Sequence, residues 1–496
     1  MTPYDDTSSH SLRLSHPQQV RAAGSMLGSA VADAVGAPFE FRQPDLYAAT
    51  FLRPVLGGIG EMIGGGGFEW APGEFTDDTQ MALALANALE EAGGFSADIV
   101  WKHFRAWAES ARDIGVTIGT ALRHKTHVGA AEKAHGSLGG RTASNGSVMR
   151  IAPVGVFGVR LTRARAIELA VAQAALTHHD ESASVGAGFV ADLIRGCIFT
   201  GDFEASLRST LEFFAESPWS SVLEEHFSPM FVVDFDPRHP GLHPNGTVWT
   251  AVAQAVWAVR STGSFHDAVV AAINLGGDTD TVAAIAGAIA GAVYGVQGIP
   301  VRWATYIHGT VNTPHDGEVV YCGQDIVNSA RRLLGLGDAP MSRPEPVIDA
   351  ELVHPAGVWA ANLDGAAAVP TDHAVVSLCL TGDRFLNHPN RRQVYMRDND
   401  GDHNPNLFFA LKESVEAIQA FLDEGRQVVV HCHGGRSRTG FVLKGWYMMH
   451  EGVSHDDAHA WISDTWPHYA TWTESFFDLL DNEWTDHVES VSGVRR

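Results

Sequence analysis

The sequence predicts an all-α domain followed by a smaller α/β domain, and three observations carry that expectation. Between about Gln19 and Leu336 the apolar residues recur at helical spacing in long Ala-rich stretches, and strand-like alternation is nearly absent. At 335–346 the segment GLGDAPMSRPEP interrupts that texture with three Pro and three charged residues, the composition of a linker. Beyond it, short β-branched runs alternate with helical patterns, as a small sheet covered by helices requires. A chain of 496 residues, at about 150 per domain, has room for two or three such units.

Residues 1–18 are polar and are expected to be disordered. In 19–336, the stretches RAAGSMLGSAVADAVG, DDTQMALALANALEEAG, DIVWKHFRAWAESA, ARAIELAVAQAAL and DTVAAIAGAIAGAVYG each read as a helix. Gly24 with Gly28, and Gly287 with Gly291, provide small faces across which helices can approach closely. The stretch GGIGEMIGGGG at 57–67 reads as a flexible connection, with a mobile lid as the alternative. Residues 337–346 form the linker and 347–490 the second domain. There AVVSLCL (374–380) and QVVVHC (427–432) are strands, and LFFALKESVEAIQAFLDEG is a helix.

Composition excludes several classes of function. With 45% hydrophobic and 19% charged residues, the chain can fill full-sized cores, which excludes an intrinsically disordered protein. Net charge is 34 − 58 = −24, which argues against nucleic acid or an anionic membrane as a partner. Phosphate must then be held by local devices. Cys197, Cys322, Cys379 and Cys432 form no CxxC pair, which points to a reduced, cytoplasmic protein. The segment MTPYDDTSSH has neither the basic nor the apolar region of a signal peptide. The run from Thr281 to Val296 is sixteen residues, short of the roughly twenty that a bilayer needs, and reads as a buried helix.

Two acidic motifs carry the chemistry of the first domain. Thr76-Asp77-Asp78 opens one helix, and Asp278-Thr279-Asp280-Thr281 opens another after Gly276-Gly277. Thr and Asp are good helix caps, but capping needs one side chain. Four acids crowded at two helix starts repel one another and need a counterion. Hard divalent cations want such oxygen ligands on rigid elements. Neither loop has EF-hand spacing.

These residues resemble the ADP-ribosylglycohydrolases of the dinitrogenase-reductase-activating type. The resemblance spans about residues 20–335 and rests on GSMLGSAVADAVGAPFE, FTDDTQMAL, SNGSVMRIAP, LTHHDESA, GGDTDTVAAIAGAIAGAVYG and IPVRW. It implies an all-α cleft with two divalent cations, Mg or Mn, held by Thr76, Asp77, Asp78, Asp278, Asp280 and Thr281. It implies hydrolysis of the bond between ADP-ribose and an acceptor, an arginine side chain being favoured. Glu40 matches the family's active-site glutamate, and Asp113 an acid beside the ribose that acts on protons. Asn145, Gly146 and Ser147 are expected to face the diphosphate. His178 is an adenosine- or phosphate-side contact, or else a buried structural histidine. The alternatives are a hydrolase of small ADP-ribose conjugates and a non-catalytic reader of ADP-ribose or phosphate.

In the second domain, His431-Cys432-His433-Gly434-Gly435-Arg436-Ser437-Arg438-Thr439-Gly440 lies between a strand and a helix. A loop so placed can wrap its N–H groups around a phosphate at a helix N-terminus. Arg438 would close the cradle bidentately, Cys432 would attack as a thiolate, and Thr439 would aid departure of the sulfur. The segment resembles the Cys-x5-Arg loop of tyrosine and dual-specificity phosphatases, across about 347–480. Such enzymes take a phosphorylated substrate and need no cofactor. Gly435 accommodates the tight backbone, and Arg436 with His433 favours a substrate with several phosphates. A general acid is expected among Asp398, Asp400 and Asp402, and Asp400 is chosen on spacing.

Overall fold

The computed structural model describes residues 14–232, 234–242, 245–339, 349–382, 384–400 and 403–492. Most of the expected linker lies outside them. The first helix runs His16–Gly36, so residues 16–18 belong to it and not to the polar leader. Ser15 starts it with a capping box closed by Gln18.

The centre of the first domain is the pair His16–Gly36 and Thr279–Tyr294. Their small faces meet as the sequence predicts. A Cβ on Gly24 would come within 2.3 Å of Gly291 O, and one on Gly287 within 2.3 Å of Gly28 O. Helix Glu181–Thr200 packs beside them; it is long and apolar enough to cross a bilayer, yet 78% of its apolar window is buried inside the protein. It is a core helix of the bundle.

One hairpin interrupts the helices. Strand β1 (His308–Thr313) pairs antiparallel with β2 (Gly317–Cys322). Its signal was present in the β-branched alternation of GTVNTPHDGEVV, outweighed by the helical texture around it. His308 N donates to Gly73 O (3.0 Å) and Phe75 N donates to His308 O (3.0 Å), which fixes the chain entering helix Asp77–Ala92. The hairpin therefore positions an acidic motif.

The second domain is a five-stranded sheet of β3 (Ala350–His354), β4 (Val358–Ala361), β5 (Ala374–Ser377), β6 (Arg391–Gln393) and β7 (Val428–His431). The order is β3-β4-β7-β5-β6, with β3 antiparallel and the rest parallel. Every residue of β5 and β7 is buried, which explains their continuous apolar runs. The central β7 delivers Cys432 at its carboxyl end, where open α/β sheets place ligands.

The domains are joined by buried polar contacts. Arg302 Nε donates to Glu61 (2.9 Å) and its Nη1 to Glu413 (3.4 Å), while Trp303 Nε1 donates to Glu61 (2.6 Å). Burial alone would raise Glu61, but Arg302 outweighs it and holds the carboxyl below its ordinary range. Arg392 Nη2 donates to Leu56 O (2.7 Å). The Gly-rich segment 57–67 is thus anchored through a fully buried Glu61, contrary to the loose connection expected.

Candidate active sites

The two acidic motifs converge. Thr76 caps helix Asp77–Ala92, and Asp278 occupies the cap position of Thr279–Tyr294. Thr281 Oγ1 donates to Asp78 Oδ2 across the gap (3.3 Å), and carboxylate oxygens of Glu40, Asp278 and Asp280 lie within 4.8 Å of one another. Gly276 and Gly277 enter with φ near +73° and +74°, a turn open to glycine. A Cβ on Gly277 would strike Asn245 Oδ1 at 2.3 Å, the atom that accepts from Asp278 N (2.7 Å).

Burial first, then the neighbouring carboxylates, pushes Asp77, Asp78 and Asp280 well above the usual range. Glu40 is pushed up to about 8 by burial, with Asp278, Asp113 and Asp33 adding to it. Asp113 rises to about 6, chiefly by burial and then by Asp278. Among the described residues, Asp78 Oδ1 is buried without a hydrogen-bond partner. A divalent cation answers both facts: it supplies the missing charge and the missing partner. The donor set of carboxylates and hydroxyls suits a hard divalent cation.

The other expected residues divide. Asn145 Nδ2 donates to Asp278 Oδ2 (2.7 Å), so Asn145 orients a carboxylate. Ser147 Oγ donates to Ala183 O (3.0 Å) inside the fold, which leaves only the backbone of the 145–147 turn to face a diphosphate. His178 is 1% exposed, hydrogen-bonded to Ser144 Oγ (2.9 Å) and Thr177 Oγ1 (2.8 Å), and sits behind Gly146. Burial and then Arg150 hold its ring well below the usual histidine range. This is the structural histidine.

In the second domain, Cys432 begins the loop between β7 and helix Ser437–Glu451 and is buried. His431 Nδ1 donates to Cys432 O (3.1 Å), and Ser377 Oγ donates to His431 Nε2 (2.7 Å), bracing the floor of the loop. Gly435 has φ +67°, and a Cβ there would approach Ala361 O to 2.8 Å. Trp466 Nε1 donates to Gly435 O (2.5 Å). Arg436 is exposed. Arg438 points its Nη1 at Leu378 O (2.8 Å) and Met396 O (3.2 Å), while its Nε and the hydroxyls of Ser437 and Thr439 are buried without hydrogen-bond partners among the described residues.

Of the three candidate acids, Asp398 lies beside Arg438, Oδ2 to Nε 3.8 Å. Asp400 is exposed and accepts from Ser475 N (3.2 Å), and Asp402 lies outside the described residues. Spacing alone favoured Asp400; Thr473 Oγ1, donating to Asp398 Oδ1 (2.9 Å), holds Asp398 at the loop instead. Cys379 is an inert buried thiol, pushed up to about 12 by burial.

Residues 15–341 match the sequence profile of the ADP-ribosylglycohydrolases. The chain belongs to the ADP-ribosylglycohydrolase family. Residues 374–481 match the dual specificity phosphatase catalytic domain, so this ADP-ribosylglycohydrolase is a hydrolase carrying a second, phosphatase-type domain. The ADP-ribosylarginine hydrolase Tri1 of Pseudomonas putida (strain GB-1) is 32% identical over 295 residues, 58% of this chain and 74% of the relative. The ADP-ribosyl-[dinitrogen reductase] glycohydrolase of Rhodospirillum rubrum is 28% identical over 57% of this chain and 88% of its own. The Bos taurus ADP-ribosylhydrolase ARH3 is 25% identical over 59% and 90%.

Two residues of the ADP-ribosylglycohydrolase cleft escaped the sequence reading. Asp33, fully buried, accepts from Thr76 Oγ1 (2.7 Å) and Thr79 Oγ1 (2.5 Å) and from both backbone N–H groups, so it braces the first acidic turn. Burial raises it to about 6 against those hydrogen bonds. An acid inside the apolar run AVADAVG was its signal. Asn245 holds Asp278 and Gly276 O, and a lone Asn in a Pro- and His-rich loop gave no signal.

Proposed function

We propose that the first domain hydrolyses the bond between ADP-ribose and a protein side chain, arginine favoured, with two divalent cations, Mg²⁺ or Mn²⁺. The unpartnered Asp78 Oδ1 among crowded carboxylates carries this reading. Thr76, Asp77, Asp78, Asp278, Asp280 and Thr281 would hold the ions, with Glu40 beside them. Bound there, they would supply positive charge to orient ribose hydroxyls and a water. Asp113, raised to about 6, can hand a proton to the leaving group and take one from water. Asn145 keeps Asp278 aimed, and Asp33 keeps the Thr76 turn rigid. Names of relatives that act on ADP-ribosylarginine support the choice of acceptor.

The second domain is a cysteine-dependent phosphatase. Cys432 Sγ attacks phosphorus and the P–O ester bond breaks, with Asp398 giving its proton to the leaving oxygen. Water then cleaves the S–P bond and releases phosphate. Bound phosphate draws the Arg438 fork from Leu378 O and Met396 O onto the anion. A cytoplasmic location is supported by cysteines that are all unpaired.

The test measures ADP-ribose release from arginine- and serine-linked proteins with Mg²⁺, Mn²⁺ or chelator, beside Asp278→Asn. Metal-dependent release from the arginine linkage, lost in the variant, is expected. Tight ADP-ribose binding without release under any metal would replace the enzyme by a reader. Hydrolysis of para-nitrophenyl phosphate, lost in Cys432→Ser, tests the second site.

A further inference from the structure

The seam between the domains opens, at one edge, into a cavity of about 330 Å³. Both domains wall it: His16 and Arg331 come from the first, Arg397, Asp398, His403 and Arg438 from the second. It therefore reaches the arginine and the acid of the cysteine loop. The first domain also shapes that acid's segment, since Gln297 Nε2 donates to Tyr395 O (2.8 Å) and to Asn404 Oδ1 (2.8 Å). Asn404 Oδ1 in turn accepts from Arg397 N (2.8 Å).

The charge of this cavity runs against that of the chain. In a protein of net charge −24, it gathers, among the described residues, three arginines against one lining carboxylate, Asp398, with the imidazoles of His16 and His403 beside them. Among the described residues, neither Arg331 nor Arg397 forms an ion pair; Arg331 Nε donates only to Gly337 O (3.1 Å). The His16 and His403 rings lie 4.8 Å apart. Among the described residues, His16 Nε2, His403 Nδ1 and Arg438 Nε, all buried, have no hydrogen-bond partner, Asp398 Oδ2 standing 3.8 Å from the last. Burial, followed by Arg397, His403 and Arg331, holds His16 down to about 4. Buried donors left unmade are costly, and an anion is the group that satisfies all of them together.

We propose that this seam cavity is a second-anion subsite of the phosphatase centre, selecting a small phosphomonoester that carries a further phosphate or diphosphate group. The proposal rests on the phosphatase reading of the second domain. The scissile phosphate sits on the Cys432 loop, and the second anion lies among His16, Arg331 and Arg397. A volume of about 330 Å³ walled by two domains is of the size that takes a small molecule. His16 and Arg331 make the glycohydrolase domain part of the phosphatase's specificity. The two domains then need each other even if their substrates differ.

The test uses the full-length protein and para-nitrophenyl phosphate as reporter substrate. Inhibition constants are measured for inorganic phosphate, pyrophosphate and adenosine 3′,5′-bisphosphate. Wild type is expected to bind the two longer anions at least about tenfold more tightly than phosphate, the worth of one charge-assisted contact. Arg331→Ala and His16→Ala should each shrink that preference to about twofold, and Arg331→Lys should restore part of it. Equal inhibition by all three anions in wild type would overturn the proposal, and so would a preference that survives both alanine variants. Absence of para-nitrophenyl phosphate hydrolysis in wild type would instead overturn the phosphatase reading beneath it.

Discussion

The acidic cleft of the first domain and the cysteine loop of the second hold charge of opposite sign and are braced to different degrees. Around the cleft, Asp33, Asn145, Asn245 and Thr281 each tie an acidic turn or carboxylate through hydrogen bonds between distant segments. Around the cysteine loop, the backbone is fixed by His431 and Trp466, yet Arg438, Ser437 and Thr439 keep buried polar atoms without hydrogen-bond partners among the described residues. On the proposed reading, the first site would hold its cations before substrate arrives. The second completes its hydrogen bonds only when an anion enters. Preorganisation thus resides in side chains in one domain and in the backbone in the other.

The largest effects should separate the two chemistries. Cys432→Ser removes the nucleophile and should lower para-nitrophenyl phosphate hydrolysis by on the order of 10⁴ or more, and Asp278→Asn should do as much to ADP-ribose release. Loss of both activities in either single variant would merge the two sites and break the comparison. Next comes the seam. Glu61→Ala leaves Arg302 without its nearest carboxylate in the interior and should cost about 3–5 kcal/mol in chemical denaturation. A cost below about 1 kcal/mol would mean that the buried Glu61–Arg302 pair contributes no more than an exposed one.

The braced floor of the cysteine loop has its own pH signature. Burial lowers His431 to about 4, so between pH 6.5 and 4 the unfolded chain binds the proton that the folded chain refuses. Stability must therefore fall as pH drops through that window, by about 3 kcal/mol at its end. Denaturation of wild type against His431→Asn at pH 7, 5.5 and 4 reads it, and parallel curves would contradict it. The smallest effect belongs to the helix pair beneath the acidic cleft. Gly291→Ala places a Cβ 2.0 Å from Gly24 O and should cost about 1–3 kcal/mol by thermal melting.

What was legible in the sequence was what is local. Each acidic motif, the Cys432 loop and the paired glycine faces announce themselves within a few residues, and the structure assembles all of them. Asp33 was hidden because its role depends on a helix start 43 residues away. Glu61 was hidden because glycines around it suggest a loose loop, whereas its partner Arg302 lies 241 residues on. That Asp398, and not Asp400, lies beside Arg438 turns on Thr473, which no spacing rule joins to it. Ser147 looked like a phosphate ligand until the fold gave its hydroxyl to Ala183 O. The seam cavity exists only where two domains meet.

The central claim is that the crowded carboxylates are a cation cage. Calorimetric titration of Mg²⁺ and Mn²⁺ into chelator-stripped full-length protein tests it most directly. The account predicts saturable binding of at least one of these ions, lost in an Asp78→Asn, Asp280→Asn double variant that still melts cooperatively. No binding in wild type, or binding that persists in that variant, would contradict it.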